Sequence, residues 1–172
     1  MLRKLLVVFC LFLSVLSSHA QKDIKKSIAL SGKITSAVWP DTLGKGLDKA
    51  VVEIFAEGKK IASDTASSSG AYRIKKIPYA PSIQIVFKEL NHLPKMIDVD
   101  FTEFGSDNAI NLTLVMDAFL YRNDDYLGVN FLRTRPFGKG VYSMKQKGVL
   151  WDDRYYFEMK ARLDAVLKAY SE

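Results

Sequence analysis

From Ile28 to Met116 the chain alternates apolar and polar residues in short runs separated by turn formers, the pattern of strands with one face in a core and one in water. In a first strand, residues 30–38, Leu30, Gly32 and Ile34 share one face. The turn-rich stretch WPDTLGKGLD, residues 39–48, predicts a loop. A second strand follows at 50–55, with Ala50, Val52 and Ile54 pointing one way and Val51, Glu53 and Phe55 the other. Glu57-Gly58-Lys59 forms a tight hairpin turn into a third strand at 60–65, and Ser67-Ser68-Ser69-Gly70 turns the chain again. Tyr72 and Ile74 carry a fourth strand that ends near Pro78, and Ile83, Ile85 and Phe87 alternate in a fifth. Ile97, Val99 and Phe101 oppose Asp98, Asp100 and Thr102 in a sixth, and Ile110, Leu112 and Leu114 define a seventh. Each buried aliphatic contributes about 1.5–3 kcal/mol, so a one-residue slip is costly and the pattern specifies register. The expected fold is mainly β: a seven-stranded, Greek-key, antiparallel β-sandwich.

The period changes after Met116. Residues 117–147 are aromatic and polar without steady alternation, and from Leu150 onward Tyr156, Met159, Leu163, Val166, Leu167 and Tyr170 fall on one helical stripe. An amphipathic helix over about 152–170 is expected, capped by Asp152 or Asp153. Glu158–Arg162, Lys160–Asp164 and Asp164–Lys168 place opposite charges four apart along it.

The opening residues have a different texture. Arg3 and Lys4 precede an apolar run from Leu5 to Leu16, and Ser18 and Ala20 are small residues before Gln21. This is a secretory signal over 1–20, too short in its apolar part to span roughly 30 Å of hydrocarbon. Cys10 follows Val8 and Phe9 rather than small residues, so it reads as part of the signal and not as a lipidation site. Residues 21–27 form a polar lead-in, 28–116 the β-sandwich, and 117–172 an aromatic-rich extension ending in the helix. The expected location is outside the cytoplasm by the Sec pathway: periplasmic or extracellular, with outer-membrane association open.

Composition narrows the chemistry. The 172 residues are 48% hydrophobic and 26% charged, the balance of an ordinary soluble domain with one core. Removing residues 1–20 lowers the 25 Lys and Arg to 23 against 19 Asp and Glu, a net +4, and leaves one histidine, His92, and no cysteine. Such a chain has no disulfide framework, thiol nucleophile or thiolate metal site. The basic pairs Lys25-Lys26, Lys59-Lys60 and Lys75-Lys76 are scattered, which speaks against nucleic acid.

Residues 30–114 resemble the carboxypeptidase regulatory-like domains, whose fold is a transthyretin-like (prealbumin-type) sandwich. The resemblance rests on Ser31-Gly32-Lys33-Ile34, Gly46-Leu47 before Ala50-Val51-Val52-Glu53-Ile54, then Thr65 and Gly70-Ala71-Tyr72-Arg73-Ile74. Where that family often has Gly before Tyr or Phe, this chain has Glu89-Leu90-Asn91-His92-Leu93-Pro94. The tail from Phe137-Gly138-Lys139-Gly140 through Trp151-Asp152-Asp153-Arg154-Tyr155-Tyr156 resembles C-terminal extensions of small exported Bacteroidota-type proteins carrying this domain. The resemblance implies a fold and a compartment. It implies no peptidase activity.

No catalytic, cofactor or metal residues are assigned. His92 lies in a turn, where a lone histidine is ordinarily a solvated loop residue; general-base work also needs an orienting partner. A 5-hydroxyisourate hydrolase of the transthyretin-like fold would need several His and Arg residues and a Tyr-Arg-Gly-Ser ending, whereas this chain ends Lys168-Ala169-Tyr170-Ser171-Glu172. Asp98, Asp100 and Glu103, and Asp124-Asp125, lack the ligand spacing of a calcium loop. Asp41-Thr42-Leu43 and Asp64-Thr65-Ala66 match a short Asp-Thr-apolar O-glycosylation pattern, making Thr42 and Thr65 candidate modification sites. Tyr121, Tyr126, Phe137 and Trp151 are candidate interaction residues, with Phe131 and Tyr142 in the same aromatic tail, and a second small core is the competing reading. The expected function is a non-catalytic binding or structural module of the bacterial envelope, with a protein or glycan partner and no transmembrane segment after signal removal. The alternatives are a hydrolase or enzyme accessory, with a polar cleft near Asp98, Asp100 or Arg133-Thr134-Arg135, and a carbohydrate-binding module. The last would present Trp39, Tyr79 or Trp151 flat and exposed.

Overall fold

The computed structural model describes residues 27–38, 42–104, 112–122 and 127–169. Eleven strands are described: β1 (Ser27–Val38), β2 (Thr42–Gly46), β3 (Val51–Ala56), β4 (Lys59–Thr65), β5 (Ala71–Pro78), β6 (Ser82–Lys88), β7 (Lys95–Asp100), β8 (Leu112–Val115), β9 (Ala118–Tyr121), β10 (Gly138–Ser143) and β11 (Gly148–Trp151). A 3-10 helix spans Leu127–Arg133, and the α-helix α1 spans Asp153–Ala169. The strands form two facing sheets, so the expected mainly β sandwich with a C-terminal helix is what the chain adopts.

β1 organises the first sheet. Its first half pairs antiparallel with β5 and parallel with β8; its second half pairs antiparallel with β2 and parallel with β9. The handover lies at Gly32, where a Cβ would come within 2.0 Å of the Met116 carbonyl oxygen. There the Asp117 carboxylate accepts from the Lys33 backbone N–H at 2.8 Å, in place of a strand carbonyl. The second sheet runs β11-β10-β7-β6-β3-β4. The β3–β4 hairpin turns at Glu57 and Gly58, both at positive φ, the geometry that matches strand twist. Gly70, at φ 82°, also needs its missing side chain, because a Cβ would lie 2.2 Å from the Ile34 carbonyl oxygen.

Three expectations are corrected. The sheets are mixed: β1–β8, β1–β9 and β7–β10 are parallel pairs, because these strands arrive by long connections and not by hairpins. The loop expected at 39–48 contains β2, a glycine-rich strand that draws its pairing from β1. The sandwich does not end at residue 116, since β9 joins the first sheet and β10 and β11 join the second. The signal expected at 1–20, most of the expected lead-in, and Ile110 and Tyr170 lie outside the described residues.

Two apolar clusters result. The larger fills the space between the sheets, with Ile28, Leu30, Ile34, Ile54, Phe87 and Phe101 fully buried. Its aromatic centre is the edge-on pair Tyr72–Phe87 and the stack of Tyr142 on Phe101, each at 5.8 Å. Burial pushes the Tyr72 hydroxyl above its ordinary pKa, with the Asp117 charge adding to this, and the hydroxyl donates to the Met116 carbonyl at 2.6 Å. The smaller cluster joins Leu93, the 3-10 helix residues Val129, Phe131 and Leu132, Phe137, and the α1 stripe Met159, Leu163 and Leu167. Asp152 caps α1, its carboxylate accepting from the Tyr155 N–H at 3.0 Å. Lys160 pairs with Asp164 at 3.1 Å, while the Arg162 guanidinium sits 4.4 Å from the Phe131 ring centroid.

Candidate functional site

The aromatic tail is split between core and surface. Phe137 is buried, Tyr121 is half-buried and Trp151 is 45% exposed. Phe137 packs edge-on against Tyr156 at 5.6 Å beneath the helix. Tyr126 lies outside the described residues. Of the three rings expected on a carbohydrate-binding face, Trp39 also lies outside them. Of the two described rings, Tyr79 is half-buried, its hydroxyl donating to the Phe101 carbonyl at 3.3 Å, and Trp151 is the exposed one.

Around these rings, α1 and the open side of the sandwich enclose two adjoining hollows that share Lys95, Phe137 and Tyr156. One, of about 320 Å³, is lined by Ala37, Phe119, Tyr121, Lys160 and Leu163 in addition. The other, of about 280 Å³, reaches Ile97, Met116, Asp117, Gly138, Lys139, Trp151 and Asp153. Together they form an aromatic cleft with charged residues at intervals. The Lys95 ammonium sits at its centre, 4.7 Å from the Phe137 ring centroid and 5.7 Å from that of Phe119.

Two glycines shape the cleft. Gly140 faces the core between Val99 and Trp151, and a Cβ there would lie 2.4 Å from Val149 and 3.0 Å from the Trp151 ring. Two carbons of the indole therefore occupy space that a side chain at 140 would need. At Gly138, two residues earlier on the same face, a Cβ would meet nothing within 4 Å, so the cleft has an open notch. A broader hollow of about 710 Å³ lies by the β3–β4 hairpin, where Phe55 is the aromatic lining residue among Gly58, Pro81, Gln84, Asp98 and others. Its lining brings fewer anchoring groups together.

His92 is not a solvated loop residue. Its side chain is 8% exposed, and its Nε2 lies 3.1 Å from the Ser36 hydroxyl on β1. Its Nδ1 faces the Glu89 carboxylate, which accepts and so fixes the proton on Nδ1 in the neutral ring. Burial pushes the Glu89 carboxyl upward, but the Asn91 N–H, the His92 ring and the Leu90 N–H together hold it below its ordinary value. Hydroxyl, imidazole and carboxylate thus stand in the order of a nucleophile, base and orienting group. The same contacts pin the β6–β7 turn to β1, and the His92 backbone bridges to Arg122 after β9.

The acidic candidates are engaged locally. Asp98 accepts from Gln84 at 3.0 Å, Asp100 accepts from the Thr102 N–H at 2.7 Å, and Glu103 accepts weakly from the Met144 N–H at 3.4 Å. Asp124 and Asp125 lie outside the described residues, and among those described no group of three or more His, Cys, Asp or Glu is placed to hold a metal ion. Arg133 and Arg135 are exposed at the end of the 3-10 helix. Thr65 is exposed at the end of β4, opposite Val51; Thr42 begins β2, but its side chain lies outside the described residues. Among the described residues no helix is long and apolar enough to cross a membrane.

The sequence pattern named Tyr121, Phe137 and Trp151 but not Lys95, Gly138, Gly140 and Tyr156 as parts of one site. The available signal was the Gly-x-Gly spacing of 138 and 140, which puts two bare positions on one strand face.

No family model matches the chain, and no curated protein matches it. Among solved structures, the chain is similar to chlorocatechol 1,2-dioxygenase from Pseudomonas putida at 13% identity and a TM-score of 0.41, covering 59% of this chain and 63% of that one. It is similar to a type II cohesin-X-dockerin complex chain from Acetivibrio cellulolyticus at 14% identity and a TM-score of 0.36, covering 59% and 62%. It is also similar to the Caf1A usher C-terminal domain at 8% identity and a TM-score of 0.34, covering 56% and 99%. The match spans less than two thirds of the dioxygenase's own length, and at these scores the likenesses do not bear on activity or partners.

Proposed function

We propose that this protein is an exported, non-catalytic binding module of the bacterial envelope, and that it holds its ligand in the cleft between α1 and the sandwich. The observation that carries this reading is the set of aromatic rings, Trp151, Tyr156, Phe137 and Phe119, arranged around Lys95 beside an unfilled notch at Gly138. Aromatic rings with a few placed polar groups are the composition of a ligand site, and charged side chains fix orientation. Export draws on residues 1–20, and the carboxypeptidase regulatory-like assignment draws on the close approach at Gly32 and the turn at Gly70 that sets Tyr72 inward.

Gly138→Val tests the reading, because a Cβ at this position meets nothing within 4 Å and the added side chain takes up space in the notch. In the native bacterium the wild type should stay with washed envelope fragments, start at Gln21 by intact mass, and lose that retention in the variant. Equal retention of both proteins, or an uncleaved chain in the cytoplasm, would sink it.

A hydrolase reading draws on Ser36, His92 and Glu89. It requires a substrate carbonyl to reach the Ser36 hydroxyl beside a ring that is 8% exposed. Turnover of p-nitrophenyl acetate that disappears in Ser36→Ala and in His92→Ala would favour it over the binding module.

A further inference from the structure

We infer that the Trp151 end of the cleft is a subsite for one pyranose ring of a neutral glycan. This rests on the binding reading above and names the ligand class. The first argument is the platform. Bare backbone at Gly140 lets the indole lie against β10, with Cε3 3.0 Å and Cζ3 3.2 Å from where a Cβ would stand, while 45% of the residue stays exposed. The exposed part of the indole offers a π-surface that attracts the partly positive C–H face of a sugar ring through its quadrupole.

The second argument is the empty space. The hollow of about 280 Å³ lies beside this ring, and its inward position at Gly138 is unfilled, so a ring-sized ligand can sit between Trp151 and Phe137. The third is charge. The lining carries Asp117 and Asp153 against Lys95 and Lys139, a balance that favours neither an anionic nor a cationic ligand. Carboxylates accept hydroxyl donors, and one Asp117 oxygen is already oriented by the Lys33 N–H at 2.8 Å. A purely apolar ligand would cover the Asp117 and Asp153 carboxylates without offering them a donor, whereas a polyhydroxylated ring brings hydroxyl donors to them.

The test uses the full mature chain carrying Trp39→Phe, which leaves Trp151 as the one tryptophan. The probes are cellohexaose, mannohexaose and chitohexaose, titrated against indole fluorescence at low and high salt. Saturable binding of one of them is expected, with an affinity that changes little with salt, since a neutral ligand is not screened. Trp151→Ala should weaken it by roughly tenfold or more, as loss of a stacking partner does, and Trp151→Phe should retain part of it. The Trp151→Ala titration is read by calorimetry, and Gly138→Val should block binding with a native circular dichroism spectrum. No binding of any hexasaccharide overturns the glycan assignment. Anilinonaphthalene sulfonate then separates the two levels. If it enters the wild-type cleft and is excluded by Gly138→Val, the glycan falls and the binding reading stands; if it does not enter, both fall.

Discussion

The two apolar clusters of this protein are made by different means, and they leave different surfaces behind. The core between the sheets draws one side chain in two from strands whose alternation is plain in the sequence, and Ile54, Ile85, Phe87 and Val99 are fully buried there. The cluster under α1 draws single residues from separate segments: Leu93 after β6, the 3-10 helix, Phe137 before β10, and the helical stripe. Strand alternation closes this layer where the inward positions carry large side chains, as Ile54, Ile85, Phe87 and Val99 do. A helix laid across the end of a sandwich meets it along one stripe, and the residues beside that stripe, Tyr156 and Lys160, overhang open space. The cleft is a consequence of that mismatch in shape.

Phe87→Ala gives the largest effect expected. The ring is fully buried and packs edge-on against Tyr72, so its loss should cost about 3–5 kcal/mol, read by urea denaturation. Leu163→Ala should cost less, about 2–3 kcal/mol, because a site beside an open cleft can collapse around the missing atoms. Hydrogen exchange sharpens the comparison. In Leu163→Ala the α1 amides should lose protection while those of β3 and β6 keep it. Equal loss in all three would make the two clusters one cooperative unit and break the distinction.

The same contrast explains what could be read from the chain. The seven expected strands all recur, most because their apolar side chains carry the period of two, and β4 because the Glu57-Gly58 turn returns the chain along β3. β10 was hidden because two of its inward positions, Gly138 and Gly140, contribute no hydrophobic signal and leave Tyr142 as the one large inward residue; Val149 and the Trp151 ring of β11 fill in for the second glycine. β2 and β9 were hidden because short, weakly patterned segments obtain their hydrogen bonds from the long β1, a non-local pairing. In the helix, the apolar stripe identified Met159, Leu163 and Leu167 correctly, but periodicity does not reveal that Arg162 lies over Phe131. The candidate site was legible only as an excess of aromatics. Its centre, Lys95, is an ordinary strand-opening lysine by sequence, and Ser36 and Glu89 acquire meaning only when folding brings His92 between them.

That histidine is the link between the turn beside the second cluster and the first sheet, and His92→Ala should cost about 1–2 kcal/mol for its two lost side-chain partners. It also carries a pH dependence. The folded Glu89 carboxyl titrates below its ordinary value, so the unfolded chain takes up the proton first as pH falls. The resulting stability is fully present above the unfolded carboxyl pKa of about 4.3 and is lost as pH drops through the folded value. His92→Ala should therefore flatten the acid limb of a stability-against-pH profile, and an unchanged limb would show that the Asn91 and Leu90 N–H groups hold the carboxylate without the ring. Glu53, lowered by its hydrogen bond to Lys88 against the opposing effect of burial, supplies an independent acid limb that Glu53→Gln removes.

The smallest effect expected is at the junction between the two regions. Asp152 follows the Trp151 platform and opens α1, and its carboxylate satisfies the Tyr155 N–H, one of the donors a helix start leaves unpaired. Asp152→Ala should cost about 1 kcal/mol, and Asp152→Ser should recover most of it, since either oxygen can cap. The first turn is also held by the Tyr155 hydroxyl, which donates to the Pro136 carbonyl at 2.7 Å, and by the Asp152 N–H, which donates to the Lys139 carbonyl at 2.9 Å. Loss of the cap should therefore loosen the helix start without detaching the helix. Its readout is the anisotropy of Trp151 in a Trp39→Phe background, which should fall in the Ala variant and return in the Ser variant. An anisotropy indifferent to the cap would mean that Gly140 and β10 alone hold the indole, making the platform a property of the sheet and independent of the helix above it.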